Sequence, residues 1–152
     1  MITLSSALLD AIYAHAEAGY PDEVCGLLMG EPGAVDEARR CDNRQNALHA
    51  EDPEHFPRDA RTAYNFGPRD LFLLDKSLRG PRPAQIIYHS HIEVGAYFSK
   101  EDALAAAPDG ELLYPVDYLV VDVRKDGARG ARLFRFTDGE FVEIAAFERT
   151  RR

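Results

Sequence analysis

Hydrophobic and polar positions divide the chain into alternating helices and strands, beginning with a predicted helix near the N-terminus. Ser5 or Ser6 can cap this helix, because a serine hydroxyl accepts a hydrogen bond from a free backbone N–H of the first turn. The apolar stripe has helical spacing and consists of Leu8, Leu9 and Ile12. The Gly-Tyr-Pro run at 19–21 is typical of a helix end. The apolar run EVCGLLMG follows and predicts a buried strand, which pairs with AVDEARRC so that residues 23–42 form a hairpin.

The middle of the chain is more polar. Residues 43–60 show no periodicity and are predicted to form a long irregular loop, a kind of segment that is often functional. Residues 61–66 are predicted as a short strand. A helix is then expected from about Pro68 to Arg79, ended by Gly80 and Pro81. Its apolar positions are Leu71, Phe72, Leu74 and Leu78.

The last part of the chain is rich in predicted strands. AQIIYHSH predicts a strand and SKEDALAAA a short helix, and three further strands follow in DYLVVDVR, ARGARLFRF and EFVEIAAF. An Asp138-Gly139 turn joins the last two strands. No repeat or interdomain linker interrupts the pattern, so we expect one domain over residues 1–152. The order of elements predicts an α/β (α+β) fold with a mixed, largely antiparallel sheet flanked by helices.

Composition narrows the possible partners. The chain has 18 Lys and Arg against 26 Asp and Glu, a net charge of −8, which argues against a nucleic-acid partner. No apolar run approaches the roughly 20 residues of a membrane span. The N-terminal stretch carries Asp10 and Glu17 without a basic start, so it is not expected to be a signal peptide. Cys25 and Cys41 are too few for a disulfide framework, which favours a cytoplasmic protein.

The most informative pattern is H-x-H-x7-S-x2-D, formed by His89, His91, Ser99 and Asp102. On a strand, residues i and i+2 point to the same face, so both imidazoles can reach one metal ion while Ser90 points away. Asp102 falls in the first turn of the next predicted helix and is well placed as the third ligand if the connecting loop folds back. Imidazole nitrogen suits zinc, and a catalytic zinc usually takes three protein ligands and a water.

Two of these residues have a simpler explanation. Ser99 and Asp102 fit a capping box at the start of a helix, which needs no metal. The two roles are compatible, because a capped first turn would hold the Asp102 carboxylate in place. A hydrolytic metal site also needs a carboxylate that is not a ligand, to move protons. Glu23 is a candidate, since it stands where the first helix gives way to an apolar strand, but spacing alone does not place it near His89.

Together, EVCGLLMG and the later HSH…YFSKED resemble the JAMM (MPN-plus) zinc metalloprotease family, in particular its stand-alone prokaryotic members. The resemblance implies that His89, His91 and Asp102 bind Zn²⁺. It also implies that Glu23 is the general acid and base and that Ser99 stabilises the oxyanion. The implied fold is related to the cytidine-deaminase sheet, with helices on both sides.

The resemblance further implies hydrolysis of peptide or isopeptide bonds at the Gly-Gly C-terminus of a ubiquitin-like or sulfur-carrier protein. We expect residues 43–60 to form part of the channel for that tail. The chain departs from the family pattern at Ile92 and Phe98, where many members have proline, so the connecting loop is expected to be less stiff. Asn43 falls where related sequences often carry an Asn near the active site.

Three alternative functions compete with a zinc hydrolase. A scaffold that has lost its metal is disfavoured, because all five motif residues are present. A zinc nucleobase deaminase requires H-x-E with P-C-x-x-C, whereas these cysteines lie 16 apart. A thiol hydrolase using Cys25 competes with the view that this residue is a small buried hydrophobe. The remaining histidines are expected to be ordinary polar residues: His15, His49 and His55.

Overall fold

A computed structural model describes residues 3–149 of the chain. Its helices are α1 (Ser6–Gly19), α2 (Gln45–Glu51), α3 (Pro68–Ser77) and α4 (Lys100–Ala106). Its strands are β1 (Cys25–Met29), β2 (Glu37–Cys41), β3 (Ala84–Ile92), β4 (Asp117–Arg124), β5 (Gly127–Thr137) and β6 (Glu140–Glu148). They form one six-stranded sheet in the order β2-β1-β3-β4-β5-β6.

The pairing of the strands confirms the predicted sheet. β3 and β4 run parallel, and the other neighbouring pairs, including the β1–β2 hairpin, are antiparallel. The turn between β5 and β6 has positive φ at both Asp138 and Gly139, the conformation expected for an Asp-Gly hairpin turn. The sheet is therefore mixed and largely antiparallel.

Helices cover both faces of the sheet, as predicted. On one face, Leu8 and Ile12 of α1 pack in a core that includes Tyr88 of β3. On the opposite face, Leu74 of α3 and Ala106 of α4 pack in a second core. Successive side chains of a strand point to opposite faces, so residues 87, 89 and 91 of β3 turn toward α3 and α4. Among residues 3–149, no helix combines the length and the apolar character that a membrane crossing requires.

The ends of the predicted helices agree closely with the structure. Of the two candidate caps for α1, Ser5 is the one that accepts a hydrogen bond, from the backbone N–H of Leu8 at 3.1 Å. The helix predicted from Pro68 begins there and ends at Ser77, two residues before the expected Arg79.

Two predictions for the middle of the chain are wrong. Residues 43–60 contain helix α2, which the sequence does not reveal because polar contacts rather than an apolar stripe hold it. The buried Gln45 donates to the Arg58 carbonyl at 2.8 Å and accepts from the Asn65 amide at 2.8 Å. Residues 61–66 are not a strand, since Phe66 forms only an isolated bridge with Asn43. The Asn43 side chain replaces a strand partner by bonding the carbonyl of Ala63 and the N–H of Asn65.

Candidate active site

The two histidines of the motif lie near the carboxyl end of β3 and converge on Asp102. The Nε2 atom of His89 lies 3.1 Å from Oδ1 of Asp102, and Nε2 of His91 lies 3.0 Å from Oδ2. Both imidazoles are buried. Ser90 points to the opposite face, as predicted, where its hydroxyl accepts a hydrogen bond from Val24 at 2.8 Å.

Asp102 reaches the histidines because it belongs to the first turn of α4. The Ser99 hydroxyl accepts from the Asp102 N–H at 3.0 Å, and Oδ2 of Asp102 accepts from the Ser99 N–H at 3.1 Å. This reciprocal pair is the predicted capping box. One carboxylate therefore closes the helix cap and faces both imidazoles at the same time.

The donor atoms of His89, His91 and Asp102 fit a metal ion. One ligand atom from each lies within 4.8 Å of the others. Nδ1 of His91 lies 3.2 Å from the carbonyl oxygen of Gly95, which can only accept. In the neutral ring Nδ1 therefore carries the proton, and the Nε2 lone pair faces the carboxylate. Nδ1 of the buried His89 has no partner among the described residues, and Nε2 faces only Oδ1 of Asp102 at 3.1 Å, without the geometry of a hydrogen bond. Lone pairs that converge in a buried site call for a cation.

The charge state of Asp102 supports this reading. Burial raises the pKa of its carboxyl, but in the absence of an ion the charge and hydrogen bonds of protonated His89 and His91 outweigh burial and hold the pKa well below its usual range. A bound cation would supply that positive charge when the imidazoles give up their Nε2 protons. Asp102 is therefore ionised at neutral pH. An ionised carboxylate is the form that coordinates a metal ion.

Aromatic rings pack against both imidazoles and restrict their orientation. The Tyr64 ring stacks on His89 with centroids 4.5 Å apart and planes 22° apart. Phe98 approaches His89 edge-on at 6.5 Å, and Tyr97 packs against His91 at 5.0 Å. A ligating histidine is usually oriented by a hydrogen bond from its second nitrogen. At His89, packing against the Tyr64 and Phe98 rings orients the imidazole instead.

The loop between the second histidine and the serine is anchored without the prolines that many family members have. Glu93 adopts the left-handed conformation at φ 62°. Its Oε2 accepts from the Tyr20 hydroxyl and from the Lys125 N–H, each at 2.6 Å. At the other end of the loop, Phe98 packs against Phe141 with ring centroids 4.4 Å apart. These contacts restrain the loop that we expected to be less stiff, because Ile92 and Phe98 stand where many family members have proline.

Glu23 is brought to the site by strand pairing. In the register of β1 and β3, Cys25 lies opposite His89, and backbone and hydroxyl bonds tie Val24 to Ser90. The Glu23 carbonyl accepts from the Asn43 amide at 2.9 Å, which gives Asn43 a structural role beside the site. Four of the five predicted site residues line one cavity of about 190 Å³: Glu23, His91, Ser99 and Asp102.

Glu23 is 6% exposed, and the surroundings of its carboxyl group make it basic. Burial, together with the nearby Asp102 charge, raises its pKa to about 9 against the opposing effect of the Arg58 guanidinium. A bound cation would lower this pKa, because a positive charge favours the ionised form. The environment thus suits a carboxyl group that exchanges a proton during a reaction.

Residues outside the motif complete the cavity wall, among them Arg58, Arg61 and Tyr97. Spacing gives no signal for them, because they come from irregular segments. The prediction that residues 43–60 form a substrate channel stays a prediction, although Arg58 of that segment lines the cavity.

The remaining candidates do not join the site. His15 bonds the Tyr88 hydroxyl on the other face of the sheet, His49 contacts the Phe56 carbonyl, and His55 pairs with Asp52. Burial raises the pKa of the Cys25 thiol far above its usual range, which argues against a thiolate nucleophile.

Comparison with known proteins places this geometry in context. A family model described as prokaryotic homologs of the JAB domain matches residues 5–136. Proteins named CysO-cysteine peptidase, from Mycobacterium bovis and Mycobacterium tuberculosis, are 27% identical over 145 residues, covering 94% of this chain and 88% of theirs.

Two solution structures share the fold. One is a protein from Desulfitobacterium hafniense, with a TM-score of 0.67 and 21% identity over 95% of this chain and 90% of that one. The other is from Salinibacter ruber, with a TM-score of 0.62 and 22% identity over 98% of this chain and 92% of that one.

Proposed function

Because the chain belongs to the family of prokaryotic JAB-domain homologues, we propose that it is a zinc-dependent hydrolase of peptide or isopeptide bonds. One observation carries the proposal: His89, His91 and Asp102 meet in a buried cluster whose cavity is also lined by Glu23 and Ser99. A scaffold would have no need for a buried carboxyl of raised pKa beside converging imidazole lone pairs.

The ligands in this proposal are Nε2 of His89, Nε2 of His91 and a carboxylate oxygen of Asp102. A bound zinc ion would polarise the scissile carbonyl and acidify a water molecule. The orientation of the ligands is already fixed: Gly95 holds His91, Tyr64 stacks on His89, and the helix cap holds Asp102.

Glu23 moves the protons. As a carboxylate it takes a proton from the attacking water, and as a carboxylic acid it passes that proton to the leaving amine. Its burial and the opposing charges around it allow both forms to be reached within one reaction cycle. The attacking water and the leaving amine must therefore both lie within hydrogen-bond reach of the Glu23 carboxyl.

Ser99 stabilises the oxyanion that forms when water adds to the carbonyl. Its oxygen accepts the cap hydrogen bond from Asp102, so the hydroxyl hydrogen stays free to donate into the cavity. A donor of this type typically lowers the barrier by about 3 kcal/mol.

We infer that the substrate is a ubiquitin-like or sulfur-carrier protein with a Gly-Gly tail. The support is the similarity to the mycobacterial relatives, whose name assigns them a peptidase activity on CysO-cysteine. The cavity of about 190 Å³ is small, which suits a backbone without side chains.

The test is hydrolysis by the zinc-loaded protein. Gly-Gly-terminated carriers joined to cysteine, or to lysine through an isopeptide bond, are incubated with it, and the products are followed by mass spectrometry. Glu23→Gln should still take up one zinc ion but lose at least about a hundredfold in turnover, since it removes the proton carrier. The exposed Glu31→Gln, at the turn between β1 and β2, serves as the control. Comparable turnover in Glu23→Gln contradicts its assignment, and failure to take up zinc on titration leaves the scaffold hypothesis.

A further inference from the structure

We propose that Arg58 binds the α-carboxylate of the leaving amino acid, so that the preferred substrate is an acylated amino acid with a free carboxylate rather than a lysine isopeptide in a folded protein. This inference rests on the proposed hydrolase function and specifies its substrate class. It follows from the position, the pairing and the geometry of one guanidinium group.

Arg58 stands at the junction of two cavities. It lines the cavity that contains Glu23 and Asp102, and it also lines an adjoining open groove beside Pro21 and His49. A group that leaves the reaction centre through this groove must pass the guanidinium. Arg58 is therefore placed to contact the leaving group.

Contacts on two sides hold the guanidinium in place. Nη1 donates to the Thr62 carbonyl at 3.1 Å, and Nη2 donates to Oε1 of Glu101 at 3.0 Å. A guanidinium has five N–H donors in a planar fork, and these contacts engage one donor on each terminal nitrogen. The remaining donors can bind a carboxylate in the two-pronged geometry that arginine favours.

Arg58 lies on the leaving-group side of the site. It lines the same cavity as Glu23. Glu23 must give its proton to the leaving nitrogen, so that nitrogen lies beside Glu23. In an α-amino acid the carboxyl carbon is only about 2.5 Å from that nitrogen, across two bonds. In a lysine isopeptide the reacting nitrogen is at the far end of the side chain, and the carboxyl is built into a peptide bond.

The charges of the cavity make such a cation necessary. Glu101 and Asp102 both line it, so a free carboxylate would enter beside other carboxyl groups. Arg61 also lines the cavity, but its Nε and Nη2 both bond Oδ2 of Asp59. On Arg58, by contrast, Nε has no partner among the described residues, and the pair with Glu101 is exposed to solvent. An exposed pair of this kind contributes little to stability and is readily exchanged for a substrate carboxylate.

The experiment compares peptide substrates that differ in one group. The full-length zinc-loaded protein is given a peptide ending in Gly-Gly-Cys with a free carboxylate, the same peptide as its C-terminal amide, and a Gly-Gly–lysine isopeptide with both peptide ends blocked. Initial rates yield kcat and KM for each. The free acid should be preferred at least tenfold in kcat/KM, because hydrogen bonds to a charged group have this effect or more.

Three variants test whether Arg58 causes the preference for the free acid. Arg58→Gln should raise KM for the free acid about tenfold or more, leave the amide nearly unchanged, and bring their ratio close to one. Glu101→Gln releases Arg58 and should lower KM for the free acid. Arg61→Gln, the matched control, should keep the ratio.

The outcomes separate this inference from the proposed function. Equal hydrolysis of acid and amide by the unmodified protein overturns the inference and leaves the hydrolase function intact. An undiminished preference for the acid in Arg58→Gln overturns the role of that residue. Hydrolysis of none of the substrates by the zinc-loaded protein refutes the proposed function itself, and the substrate class with it.

Discussion

Replacing Gly26 with alanine should destabilise the protein strongly, although the added group is a single methyl. Gly26 lies in β1 opposite Tyr88 of β3. A Cβ atom at Gly26 would lie 2.2 Å from Cε2, 2.3 Å from Cζ and 2.4 Å from the hydroxyl oxygen of Tyr88. Tyr88 is fully buried, and its hydroxyl bonds Nδ1 of His15 on α1 at 2.6 Å. The ring therefore has no free space into which to move.

Two costs add in the Gly26→Ala variant. Forcing a methyl into a packed core costs about 1–3 kcal/mol. Displacing the ring breaks the hydrogen bond between Tyr88 and His15, and a buried polar group left without a partner costs about 1–3 kcal/mol more. The expected loss in the free energy of unfolding is about 2–6 kcal/mol, a large part of the roughly 5–15 kcal/mol that stabilises a domain.

Urea unfolding followed by circular dichroism measures this loss. The double variant Gly26→Ala/Tyr88→Leu should be more stable than the sum of the single variants by at least about 1 kcal/mol, because leucine removes the atoms that clash. Gly80→Ala is the control: its Cβ would meet the Ser77 carbonyl oxygen at 3.6 Å, an ordinary contact. A loss below about 1 kcal/mol for Gly26→Ala, or additive effects in the double variant, would refute the steric explanation.

Three further predictions address separate parts of the site and the core. Ser99→Gly should change stability by only a few tenths of a kcal/mol, because glycine is tolerated at a helix N-cap, but should lower kcat about a hundredfold; unchanged kcat would remove Ser99 from the reaction. Tyr64→Leu should weaken zinc binding about tenfold in competition with a chromophoric chelator, whereas Tyr64→Phe keeps the stacked ring and should keep the affinity; equal losses would contradict a role for stacking. Burial, together with the charge of Arg40, lowers the pKa of His15 in the folded protein to about 4. Below about pH 6.5 the unfolded chain therefore binds a proton at His15 that the folded protein does not bind. Stability should therefore fall as the pH drops from about 6.5 to about 4, and less steeply in His15→Gln; identical urea midpoints against pH in both proteins would exclude this effect.

The sequence predicts those features that depend on local pattern. Period-two and continuous apolar runs identify the strands, and the spacing of His89 and His91 places both on one face of β3. The Ser99–Asp102 capping box is found correctly because its hydrogen bonds join residues three apart. Each of these features is determined by neighbours along the chain.

Features that depend on distant residues are not predictable in this way. The approach of Glu23 to the histidines requires the register that sets Cys25 beside His89, which only the assembled sheet defines. The hydrophobic pattern does not predict helix α2, because polar contacts of Gln45 rather than an apolar stripe hold this helix in place. The stretch at 61–66 has strand-like composition, but the Asn43 side chain takes the bonds that a partner strand would supply.

The two roles of Asp102 link the proposed metal site to local unfolding. Helix α4 has only seven residues, too few to persist without its cap, and one oxygen of Asp102 both closes that cap and faces His91. Withdrawal of a bound ion would leave the carboxylate opposite imidazole lone pairs, and the first turn would open more often. Amide hydrogen exchange should then quicken at Asp102 and Ala103 on chelation, while the central strand β4 keeps its protection. The backbone of this short helix would thus report the metal content of the protein.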